Sequence, residues 1–146
     1  MNRLDKYIPV AIDVIEDVIL RDNSKIIPEW ESYVTRFGIA MRQMGMIAAV
    51  TAFSSVEQVK TKKMKRDLMH CLLRIILVAD NKACADGELL LPYVQRQSNQ
   101  KFVQHQLTDA AIAFKLGIRL FIEKNETDTP SVKKEGQDNE GDQKTQ

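Results

Sequence analysis

Two histidines, His70 and His105, are the only imidazoles available for acid–base chemistry or metal binding. His70 follows Asp67 by three residues, which puts both side chains on one face of a helix. A di-iron bundle needs a carboxylate-x-x-His pair from each of two helices, plus further carboxylates. His105 has Phe102 at the matching position, so the second half of that constellation is missing. His70 is read as a partly buried structural histidine. The segment from Asp80 to Leu91 loosely resembles a calcium loop, but its third position is Lys82, its fifth Cys84, its sixth Ala85 and its twelfth Leu91, where the loop needs oxygen ligands, a glycine and a closing acid. Neither a GxxxxGK[ST] phosphate loop nor a GxSxG elbow occurs. Cys71 sits among Met69, Leu72 and Leu73 and reads as an inert core thiol, and Cys71 and Cys84 have no CxxC or zinc-finger spacing. No catalytic residue, metal or cofactor is expected, and the chain is not read as an enzyme.

The strongest binding signal is a basic run: Lys60, Lys62, Lys63, Lys65 and Arg66. Lysine and arginine attract phosphate without reading base sequence. A solvated helix face or loop is the plainer explanation of such a run. No aromatic residue interleaves with it, so base stacking is not indicated there.

These residues must be carried by helices. Of the 146 residues, 44% are hydrophobic but only 6% aromatic, and the apolar set is rich in Ile, Leu, Met and Ala. That mixture favours packed helices over strands. A first helix is expected from near Leu4 to about Leu20, with Pro9 in its first turns or at its start, and a turn at Asp22–Ser24. A second is expected from Pro28 through Phe53 without a break, burying Trp30, Phe37, Met41 and Met44. Gly38 and Gly45, seven residues apart on nearly one face, suggest another helix packed on a bare backbone, or close approach by RNA. The basic run leads into a third helix ending near Asp80, followed by a loop over Asn81–Gly87. A fourth helix, continuous or broken, covers Glu88–Gln104 with Pro92 near its start, and a fifth starts at Thr108–Asp109 and runs to Glu123. The fifth is apolar nearly all round, which suits either the centre of the core or an interface.

Charge is unevenly spread. Residues 125–146 hold six acids and three lysines, a charge of −3, which leaves +4 on the rest of a chain whose net charge is +1. The tail is composed of Thr, Ser, Pro, Gly, Gln and charge, and its composition predicts disorder. The expected architecture is therefore all-α: a compact bundle of about five or more helices over residues 1–124 and a disordered acidic tail over 125–146. Asp5, Lys6, Asp13, Glu16 and Asp17 interrupt the N-terminal apolar stretches, and no apolar run approaches the roughly 18 residues of a membrane span. Neither a signal peptide nor a membrane partner is expected, and the cytoplasm is the expected compartment.

The segment Tyr33-Val34-Thr35-Arg36-Phe37-Gly38-Ile39-Ala40-Met41-Arg42-Gln43-Met44-Gly45-Met46-Ile47 resembles the signature stretch of the small-subunit family of the Cmr module, the type III-B CRISPR RNA-guided effector complex. In that family the stretch looks like Tyr, an aliphatic, Ser or Thr, then Phe-Gly, then Gln-x-Gly-Leu-Leu. Phe37-Gly38, Gln43, Gly45 and the Met46-Ile47 pair occupy those places. Tyr7-Ile8-Pro9 with Ala11 resembles the family's first helix, and Thr108–Glu123 its last, so the likeness spans roughly Leu4 to Glu123. It departs at Met46-Ile47, which replaces Leu-Leu, and at Ala48-Ala49, where a proline often follows. The resemblance implies a helical bundle without an active site. It implies partners: backbone subunits, further copies of the same chain stacked head to tail, and guide and target RNA, in antiviral defence. Target cleavage is implied to reside in a neighbouring backbone subunit.

From the residues, Arg36, Arg42, Lys62, Lys63, Lys65 and Arg66 are the candidate RNA-phosphate contacts. Ile39, Gln43 and Met46 are the candidate protein interface, unless Ile39 and Met46 are simply core. The alternative function is a helical protein–protein adaptor with no RNA contact. One continuous basic stripe favours RNA, and scatter favours the adaptor.

Overall fold

The computed structural model describes residues 3–20, 28–54, 59–83 and 88–128. These residues form six helices and no strand: α1 (Arg3–Val18), α2 (Glu29–Met44), α3 (Met46–Ser54), α4 (Val59–Ala79), α5 (Leu90–Arg96) and α6 (Gln100–Asp128). The expected all-α bundle is the observed one. The turn at Asp22–Ser24 and most of the 125–146 tail lie outside the described residues, although α6 carries the chain as far as Asp128, past the expected boundary at 124.

α1 buries Tyr7, Ala11, Val14 and Ile15, a row at helical spacing. Pro9 is the seventh residue of this helix and is exposed, within its first two turns. Lacking an N–H, it leaves the Asp5 carbonyl without a helical donor on the solvent side, where water can serve.

α2 starts after Pro28 with Glu29 and Glu31 in its first turn, where negative charge complements the helix dipole. It buries Trp30, Tyr33, Val34, Phe37 and Met41. The expected unbroken helix through Phe53 is not formed. Gly45 takes φ +92° and ψ 163°, a region open essentially to glycine alone, and its N–H bonds the Met41 carbonyl. The elbow re-aims the chain. Met44, expected in the core, is 53% exposed, while Met46 restarts the helix pointing inward at 5%. α3 then buries Ala49, Val50 and Phe53, and the Phe53 ring meets Phe37 edge-on at 5.2 Å.

α4 and α6 make the centre. From Leu68 to Ala79, nearly every side of α4 is buried, including Leu72, Leu73, Ile75 and Ile76, and α4 packs on every other helix. The basic run lies inside this helix and does not precede it. The expected break at Thr108 also falls elsewhere. α5 ends at Arg96, and Asn99 Oδ1 accepts the Phe102 N–H at 3.0 Å, capping α6. Thr108 is mid-helix and donates its hydroxyl to the Gln104 carbonyl at 2.9 Å.

Close helix approach occurs at neither glycine expected to provide it. A Cβ on Gly38 or Gly45 would have nothing within 4 Å, whereas one on Gly117 would stand 2.8 Å from Ile15 Cδ1. Gly117 is where α6 admits α1. Polar contacts tie α6 to α1 and to the end of α4. Arg3 bonds Asp109 at 2.9 Å and lies over the Phe102 ring, and the buried Gln106 amide donates to Asp80 at 3.0 Å and weakly to the Tyr7 hydroxyl at 3.4 Å.

Candidate RNA- and protein-facing surface

The resembling segment of α2 has two sides. Tyr33, Val34, Phe37 and Met41 face the core, while Arg36, Ile39, Arg42 and Gln43 are exposed. Ile39 and Gln43 lie one turn apart on a single row, so these two of the three candidate interface residues share a surface. Met46 does not join them. The Gly45 elbow turns it into the core, which corrects the reading of Met46 as an interface residue. Met44 and Ile47, both exposed, take up the apolar surface at the elbow instead.

Arg36 and Arg42 do not converge. Six residues apart, they are separated by about 120° around the helix. Arg36 lies over the Tyr33 ring at 5.7 Å. Arg42 turns toward α6 and lines a groove of about 260 Å³ between the two helices. Lys62, Lys63, Lys65 and Arg66 belong to the first turns of α4, and their side chains lie outside the described residues.

The α2–α6 groove gathers residues that are scattered in the sequence. α2 supplies Val34, Thr35, Gly38, Met41 and Arg42, and α6 supplies Gln104, Thr108, Ala111, Ile112 and Lys115. Among the described residues, neither Arg42 nor Lys115 has an acidic partner. The nearby Arg119 is different, since Glu31 pairs with it at 3.2 Å. Sequence reasoning missed Lys115 because only the packing of α2 on α6 brings it to Arg42. Below the groove, Leu116 and Leu120 continue from Ile112 at four-residue steps as an exposed apolar row on α6.

The residues screened for chemistry are dispersed. His70 lines an apolar groove of about 410 Å³ with Glu88 and Leu89–Pro92, and Arg96 holds Glu88 at 2.6 Å. Burial, and then the neighbouring Arg74, lower the His70 pKa below its ordinary 6.5. Burial raises the Cys71 thiol far above its usual range, so it is not a thiolate. Among the described residues, no group of three His, Cys, Asp or Glu side chains could hold a metal, and no helix is long and apolar enough to cross a membrane. No family model, curated protein or solved structure matches the chain.

Proposed function

We propose that this chain is a non-catalytic helical subunit of an RNA–protein assembly. More narrowly, we propose that it is the small subunit of a type III-B CRISPR effector complex, the Cmr module. In that role it stacks with further copies of itself beside the backbone subunits and helps line the channel for guide and target RNA, in the cytoplasm. The observation that carries the reading is the outward side of α2. The segment that resembles the family's signature leaves Arg36, Ile39, Arg42 and Gln43 exposed, with Ile39 and Gln43 on one row and the two arginines about 120° apart around α2. That surface mixes cations with aliphatic and amide groups, as a surface meeting both phosphate and protein requires. The start of α4 adds Lys62, Lys63, Lys65 and Arg66 to the same basic body.

The test is a variant with Arg42, Lys62, Lys63, Lys65 and Arg66 changed to Ala, checked first for folding and incorporation. For every phosphate that the variant no longer neutralises, the salt slope of target-RNA binding should fall by about 0.7–0.9. A shallower slope with assembly intact supports the reading. Identical affinity and slope favour the adaptor. The adaptor reading has its own support in the exposed row Ile112, Leu116 and Leu120, which suits a partner helix without RNA.

A further inference from the structure

We infer that the α2–α6 groove at Gly38 is a nucleotide-sized site, taking one phosphate and its attached nucleoside from a single-stranded RNA. The inference rests on the RNA-assembly reading for its biological setting, but its geometry is independent of that reading.

The first observation is an unexplained glycine. Gly38 sits inside α2, where glycine costs about 1 kcal/mol against alanine. Its φ is not positive, and, beyond its own stretch of helix backbone, no atom of the described residues lies within 4 Å of the place a Cβ would occupy. Neither backbone conformation nor helix packing uses the missing side chain, so the open space is available to a ligand approaching the helix backbone. The second observation is charge. Arg42 and Lys115 reach this groove from facing helices, and neither is paired with an acid among the described residues. Two uncompensated cations on a common concavity call for an anion. The third is the lining between them. Thr35 offers a hydroxyl, while Met41 and Ile112 offer an apolar wall.

A phosphate with a flat, weakly polar body attached fits this combination. The groove's 260 Å³ is of the order of a single nucleotide, too small for a turn of amphipathic helix to enter. With no aromatic ring in the lining, the base would lie on aliphatic groups, so recognition should be weak and indifferent to base identity. An acidic peptide is the competing occupant.

The experiment uses the purified full chain with a short oligouridylate, following the methyl resonances of Met41 and Ile112. Two variants accompany it. Gly38→Leu fills the groove with a good helix former, and Arg42→Ala with Lys115→Ala removes the charge. RNA should shift the groove methyls in the wild type, and an oligoadenylate should shift them alike. Gly38→Leu should weaken binding on the order of tenfold or more while circular dichroism and melting stay native, since the leucine occupies the nucleotide's place and so costs at least one charge-assisted hydrogen bond to its phosphate. The double-alanine variant should weaken it similarly and flatten its salt dependence. The inference is overturned if the methyls do not move at the highest RNA concentration, if folded Gly38→Leu binds as wild type does, or if a polyglutamate peptide of equal charge binds the groove more tightly than RNA. Because the isolated chain is measured, the groove can bind RNA even if no multisubunit complex exists. Conversely, an intact complex with an indifferent Gly38→Leu removes the groove alone.

Discussion

Gly38, Gly45 and Gly117 allow one substitution, glycine to alanine, to be worked out with three different results. At Gly38 the backbone is helical, the space is open and alanine is the better helix former, so Gly38→Ala should stabilise by about 0.5–1 kcal/mol. At Gly117 the same helix gain is opposed by a new Cβ at 2.8 Å from Ile15 Cδ1. Ile15 is fully buried, and overpacking of this kind costs about 1–3 kcal/mol, so Gly117→Ala should be neutral to destabilising by about 2 kcal/mol. At Gly45, φ +92° with ψ 163° is a glycine-only conformation, and a Cβ there costs about 1–3 kcal/mol. The chain can escape that strain only by straightening into the single helix the sequence suggests. That would withdraw Met46, Val50 and Phe53 from the core, each worth about 1.5–3 kcal/mol of burial. Gly45→Ala should therefore be destabilising, because the helix propensity gained on straightening, about 1 kcal/mol, is smaller than either cost. The assay is chemical denaturation of the three variants beside wild type. For a domain of this size 1 kcal/mol moves Tm by roughly 3–6 °C, so the expected order is resolvable by melting as well. A Gly45→Ala variant as stable as wild type, or a destabilised Gly38→Ala variant, would refute the reasoning.

The buried polar groups set further expectations. Burial, and then the Asp80 carboxylate, raise the Tyr7 pKa from 10 to about 12. The unfolded state gives up this proton first, so the stability tied to Tyr7 is complete below pH 10 and is lost as pH rises toward about 12. Tyr7→Phe should flatten the fall of stability with pH across that window, measured by denaturation at a series of alkaline pH values. Gln106→Leu removes the donor that Asp80 accepts from at 3.0 Å and should cost about 1–3 kcal/mol, read from denaturant midpoints. His70, its pKa lowered chiefly by burial, should titrate below 6.5 by NMR, and His70→Ala should leave the fold intact.

Periodicity made the helical class and much of the core legible, because Trp30, Phe37 and Met41 repeat at a spacing only a helix can bury. Breaks were less legible. Thr108–Asp109 has the residue types of a helix start, yet Asn99 takes that role, and Asp109 instead serves Arg3. Gly45 has the same composition whether it packs under a neighbour or turns an elbow, and only φ separates the two. That single dihedral also decides Met44 and Met46, so the interface reading of Met46 failed with the continuous helix. The groove was hidden for a different reason. Arg42 was visible as a surface cation, but Lys115 lies 73 residues away, on a helix whose approach to α2 no local pattern encodes.

The central claim is membership of an RNA-guided complex, and the most direct measurement is affinity purification of the tagged chain from its native cell, followed by sequencing of bound RNA and identification of bound proteins. The account predicts recovery, in one salt-stable assembly, of backbone-type subunits, further copies of this chain and guide RNA. Recovery of the chain alone, or with protein partners and no RNA, would contradict it.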